Sequence, residues 1–159
     1  MATRTSGGFI RLREQSVSRG IDARTDGLSG LEVNVIFTTD EGTQAALKTA
    51  DSLACRLGTR IRLLAPQCVP YQLPLTHPPV SVEFMEQRLL RITRICQDAA
   101  QIVVELLLCR DRTQCLLQAL SRSSLVVIGG SKRWRITREA RLARALTAKG
   151  HHVIFAESR

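Results

Sequence analysis

Between Leu125 and Arg135 the chain reads LVVIGGSKRWR, an apolar run that ends on Gly129 and Gly130 and passes through Ser131 into Lys132, Arg133 and Arg135. Glycine lets backbone come close to a phosphate, and a hydroxyl, an amide and cations at a strand-to-helix turn are groups that draw an anion. Any tight connection between strand and helix also uses such glycines, so an empty structural turn is the alternative meaning of the same residues. Residues 131–149 hold seven Lys or Arg and one Glu, a net +6 of the whole chain's formal +9. This turn and the helix after it are therefore the electrostatic centre of the protein.

Elsewhere the reactive residue types form no catalytic pattern. His77 lies in a proline-rich loop, and His151 with His152 opens the last apolar run. There is no nucleophile elbow, H-E-x-x-H, Walker A loop or G-x-G-x-x-G, and Ser6–Gly8 (SGG) follows no strand, so neither catalysis nor a metal site is indicated. The five cysteines, at 55, 68, 96, 109 and 115, are odd in number and include no C-x-x-C. That excludes a disulfide framework and a zinc knuckle. Cys55 and Cys96 fall on helical patterns and read as small buried hydrophobes. Cys109 and Cys115 bracket RDRTQ and are the only pair whose surroundings could lower a thiol pKa.

The elements that would position these residues follow from periodicity. Residues 1–30 are rich in Gly, Ser, Thr and Arg and offer only FIRL to bury, which reads as a flexible basic tail with at most one short strand. From Leu31 the pattern becomes regular. LEVNVIF is a strand that runs into TTDEGT, where Thr38 as N-cap and Glu41 three residues on would form a capping box. Ala46, Leu47, Ala50, Leu53, Ala54 and Leu57 then recur at helical spacing until Gly58 stops the helix. RIRLLA is a second strand, Ser81 caps a second helix through Cys96, and IVVELLL is a third strand. TQCLLQALS is a short helix, LVVIGG the fourth strand, ITREARLARALTAKG the fourth helix and HVIFA the fifth strand.

Alternating units with near-continuous apolar strands imply a five-stranded parallel sheet with helices on both faces and right-handed crossovers, a Rossmann-like α/β sandwich over residues 31–159. Ligands in such sheets bind at the carboxyl ends of the strands where strand order reverses, which selects TTDEGT and GGSKRW as the turns of interest. All five prolines lie between Pro66 and Pro79, and a loop of that length is either a lid or contact surface or a stiff extended connector.

No apolar run approaches the roughly 20 residues needed to span a bilayer, and the N-terminus has no apolar signal core, which points to a cytoplasmic protein without a membrane partner. In the fourth helix Ile136, Ala140, Leu142, Ala143 and Leu146 share one arc and Arg138, Arg141 and Arg144 the opposite one. That basic face is either simply solvated or a contact for nucleic acid phosphates, and with one Trp, one Tyr and four Phe there is no sign of a base-stacking surface.

The length, the five-strand order and the two turns resemble the universal stress protein family over about residues 31–156. VNVIFTTDEGTQAAL matches the family's first strand and helix without a gap through Thr43, Ala46 and Leu47. The resemblance implies a five-stranded sandwich of strand order 3-2-1-4-5 and a homodimer through the antiparallel fifth strand, here Val153, Ile154 and Phe155. It also implies an adenine nucleotide site. Members that bind ATP carry an aspartate where this chain has Thr38, and G-x-x-G-x9-G-[ST] where this chain has Gly129 followed by Lys132 in the second glycine's place. The last pair falls on Leu142 and Ala143 or, aligned from the last strand, on Glu139 and Ala140. An apolar obstruction or a carboxylate near a phosphate opposes ordinary ATP binding.

The expectation is therefore a dimeric, non-catalytic regulatory protein of stress-response type with a degenerate nucleotide site at Thr38, Gly129, Gly130, Ser131 and Lys132, acting without cofactor on a protein partner. The alternatives are a sensor that takes ATP or AMP through a modified turn at Gly129–Arg133, and a basic module that engages nucleic acid.

Overall fold

A computed structural model describes residues 4–6, 9–18, 31–96, 101–131 and 137–158 of the chain. In chain order the elements are β1 (Arg4–Ser6), β2 (Phe9–Ser18), β3 (Val33–Ile36), α1 (Asp40–Leu57), β4 (Ile61–Cys68), α2 (Val82–Thr93), β5 (Gln101–Cys109), α3 (Arg112–Ala119), β6 (Leu125–Gly130), α4 (Arg138–Ala148) and β7 (His152–Glu157). One sheet holds all the strands in the order β1-β2-β5-β4-β3-β6-β7. The five from β3 to β7 are mutually parallel and, numbered among themselves, run in the expected order 3-2-1-4-5.

The central strand β3 is only four residues long, but both edges are used: Val33–Ile36 pair with Ile61–Leu64 of β4 and with Leu125–Ile128 of β6. Its side chains alternate between two cores. Val33 and Val35 join Leu47, Ala50, Leu63 and Leu89 beneath α1 and α2. Ile36 joins Leu64, Leu107, Ile128, Leu116 and Leu146 beneath α3 and α4. Burial on both faces is why the strands read as unbroken apolar runs.

β4 continues to Cys68, through Pro66, beyond the six residues the sequence suggested. Phe37 N donates to the Leu64 carbonyl at 2.8 Å, so alternate residues of β4 face β3 and the missing N–H of Pro66 falls where β3 has already ended. The prolines after it form turns closed by Leu73 N to Pro70 O and His77 N to Pro74 O. Arg110 ties this loop down, donating to the Val69 and Pro70 carbonyls at 3.1 and 2.5 Å and stacking 5.1 Å from the Tyr71 ring.

Two expectations are corrected. The N-terminal segment read as a flexible tail supplies β1 and β2, and β2 runs antiparallel along β5 from Phe9–Cys109 to Ser18–Gln101, with a bulge between Arg11 and Arg13. The physical reason is the edge of β5, an apolar strand that would otherwise leave its backbone unpaired. Ile10 seals it, buried against Val69 and Leu108. Residues 19–30 of the same segment lie outside the described residues. The cap of α1 is Thr39 and not Thr38: its hydroxyl accepts from Gly42 N at 3.0 Å. Ser81 and Gly58 act as expected, Gly58 in the left-handed conformation with φ 63°.

Candidate functional site

At the carboxyl ends of the strands, β3 gives way to Phe37, Thr38 and Thr39, and β6 ends on Gly129 and Gly130. These are the two turns between which strand order reverses, and the fold brings them into direct contact. The Thr38 hydroxyl donates to the Gly129 carbonyl at 2.9 Å, while its N–H donates to the Thr43 hydroxyl at 3.1 Å. α1 starts directly above. A Cβ on Gly129 would lie 1.7 Å from the Gly42 carbonyl oxygen, and a Cβ on Gly42 would lie 2.7 Å from the Gly129 carbonyl oxygen. Backbone on backbone permits no side chain at either place, so packing alone requires glycine at 129.

Gly130 faces the other way. A Cβ there would meet the Phe155 ring at 2.8 Å, and its carbonyl accepts from Ser158 N at 2.8 Å. Ser131 is exposed at the end of the turn, and Lys132, with Arg133 to Ile136, lies outside the described residues. The structure thus joins Thr38 to Gly129, places Gly130 against β7 and leaves Ser131 in solvent.

Arg112, which the sequence reading passed over, lies beside the same turns. It is the first residue of α3, capped by Asp111, and it reaches across the sheet end to donate from a terminal nitrogen to the Phe37 carbonyl at 2.7 Å. Its Nε is buried, with no acceptor among the described residues. Burial pushes the guanidinium's pKa down, and Glu139, at the start of α4, partly opposes this. The other cation nearby is engaged: Arg88 pairs with Asp40 at 2.7 Å and stacks 5.2 Å from the Phe37 ring. The first turn of α1 carries Asp40 and Glu41, which makes it a poorer seat for an anion than a bare helix start.

A second polar feature crosses the sheet one layer down. Arg62 on β4 grips Glu105 on β5 with two parallel bonds, Nε to Oε1 at 2.9 Å and a terminal nitrogen to Oε2 at 2.8 Å, and donates again to the Ala119 carbonyl at 3.0 Å. Both residues are buried.

Cys109 contradicts the expectation of a lowered thiol pKa, and Cys55, expected to be buried, is exposed. The Cys115 thiol and burial push Cys109 upward, and burial followed by the Cys109 thiol pushes Cys68 upward. His151 is buried at the opposite end of the sheet, its Nδ1 accepting from Ser124 N at 3.2 Å. The arginines of α4, Arg138, Arg141 and Arg144, point outward as their spacing requires. Among the described residues no three or more His, Cys, Asp or Glu are grouped to hold a metal ion, and no helix is long and apolar enough to cross a membrane.

Comparison with solved structures decides the fold. The structure of a universal stress protein from Archaeoglobus fulgidus superposes with a TM-score of 0.58 over 79% of this chain and 93% of that one. The fold is that of a universal stress protein. Sequence identity over the match is 15%, so the likeness to the universal stress protein is one of architecture. No family model matches the sequence. No curated protein matches it. β1 and β2 extend the five parallel strands at the β5 side of the sheet.

Proposed function

We propose that this protein is a non-catalytic regulator of universal stress type, cytoplasmic and dimeric, whose nucleotide crevice is altered so that ATP is not held in the usual way. The observation that carries this reading is the contact between Thr38 and Gly129: the hydroxyl that replaces a ligand-binding carboxylate is bonded to the neighbouring turn. Arg112 supports it by reaching from α3 across the strand ends to the Phe37 carbonyl. Regulation then passes through protein contacts. β7 is the outermost parallel strand, with Val153, Ile154 and Phe155 half-buried, and its open edge suits antiparallel pairing with a second copy.

A second reading rests on a separate observation. The Nε of Arg112 has no acceptor among the described residues, and a small anion or an adenine nucleotide phosphate at the Gly129–Ser131 turn would supply one.

Titration calorimetry with ATP, AMP and a cyclic nucleotide separates the two readings. The first expects no binding tighter than about 100 μM, a free energy of roughly −5.5 kcal/mol. Tighter binding that is lost in Arg112→Met would replace it with the second. Light scattering at micromolar concentration checks the dimer, and a monomer there removes the β7 interface.

A further inference from the structure

Three thiols meet at the carboxyl end of the sheet, brought there by three elements. Cys68 ends β4 and Cys109 ends β5, and the two are register partners on neighbouring parallel strands. Neighbouring strands lie about 4.8 Å apart, inside the roughly 4.4–6.8 Å Cα separation that a disulfide spans. Cys68 stands four residues beyond Leu64 and Cys109 two beyond Leu107, so both side chains project from the face that carries Arg62, Leu64 and Glu105. Cys115 comes down on them from α3 and packs in the same core. The Cys109 thiol donates to the Gln67 carbonyl at 3.7 Å, and its ionisation responds to both other thiols.

Exposure divides their roles. Cys109 and Cys115 are 0% and 3% exposed, whereas Cys68 faces solvent. An oxidant in water meets Cys68 first, with a buried thiol standing beside it as the resolving group.

We propose that Cys68 and Cys109 form a redox-active dithiol whose substrate class is hydroperoxides, with Cys68 taking the oxygen and Cys109 closing the disulfide. In the first step the Cys68 sulfur attacks the distal peroxide oxygen; an S–O bond forms, the O–O bond breaks and the alcohol or water leaves with a proton. Sulfur loses two electrons and the peroxide gains them. In the second step Cys109 gives up its proton and attacks the Cys68 sulfenic sulfur; the S–S bond forms, the S–O bond breaks and water leaves. Because both thiols are held protonated, the reaction answers sustained oxidant and not trace peroxide.

The bridge would act on the rest of the molecule through what starts at each cysteine. The proline-rich loop begins at Val69, whose N–H donates to the Cys109 carbonyl at 2.8 Å, and α3 with Arg112 begins three residues after Cys109. Oxidation therefore fastens the loop and the arginine to the same anchor.

The test uses the full-length reduced protein, hydrogen peroxide, alkylation of the remaining thiols and peptide mapping by mass spectrometry. The expected result is a peptide linked through Cys68 and Cys109 and the loss of two of the five thiols. C109S should stop at a Cys68 sulfenic acid that dimedone traps, and C115S should still give the bridge. Cys68 remaining alkylatable while exposed Cys55 is consumed would overturn the proposal, as would a bridge from Cys109 to Cys115 that leaves Cys68 reduced. The wild-type peptide map decides between these results even where C109S fails to fold.

Discussion

Two arginines are drawn into the same face of this sheet, and their treatment differs. Arg62 makes three bonds, two to the Glu105 carboxylate and one to the Ala119 carbonyl, and it sits deep between β4 and β5. Among the described residues Arg112 makes one bond, to a neutral carbonyl, and keeps a buried Nε without an acceptor, and it stands at the carboxyl end of the strands. A buried guanidinium with every donor satisfied belongs to the scaffold. One left short of acceptors at a ligand-binding position of the fold carries a cost that structure alone does not repay, and such groups concentrate at functional sites.

Mutations sharpen that contrast. The largest effect is expected from Glu105→Ala, which leaves the Arg62 charge buried and unpaired and should lower unfolding free energy by about 3–5 kcal/mol. Urea denaturation measures it, and the paired replacement Arg62→Met with Glu105→Leu should recover most of the loss. Arg112→Ala should cost only about 1 kcal/mol, because it removes one hydrogen bond and relieves a desolvated donor. Equal losses for Glu105→Ala and Arg112→Ala would erase the distinction.

The smallest expected effect concerns His151, a third buried polar group, held neutral by its bond from Ser124 N. Burial, and then His152, keep its pKa below the ordinary value of 6.5. As pH falls the unfolded chain takes up this proton first, so the contribution is fully present above pH 6.5 and declines on acidification below it. Stability measured at pH 7.5, 6.5 and 5.5 should fall less steeply in His151→Gln than in the wild type. Parallel slopes would show that His151 is not the group responsible.

Much of the parallel body is legible in the chain because each strand and each helix carries its own period. Ser81, Gly58 and the outward arginines of α4 are local signals, and local structure honours them. What escaped sequence reading depends on distant partners. β2 has little apolar content and becomes a strand only because β5 offers an edge. Gly42 looks like an ordinary residue of TTDEGT until Gly129 is placed against it. The Arg62–Glu105 pair did leave a trace, one charge in each of two otherwise apolar strands, and opposite lone charges of that kind are a signal for pairing. Cys109 and Cys115 are neighbours in sequence, but Cys68 joins them only through strand register.

The antiparallel strand at the sheet's flank also has a meaning in time. Ile10 pairs with Leu108, so β2 waits until β5 has been made before its partner exists. Three of the four parallel pairings join consecutive strands, whereas this closure, like that of β3 with β6, joins segments far apart in sequence and is expected late, as contacts of high sequence separation are. Until then β5 presents an unpaired apolar edge, and a nascent or heat-loosened molecule is most open to a wrong partner at the strand its own N-terminus will later cover.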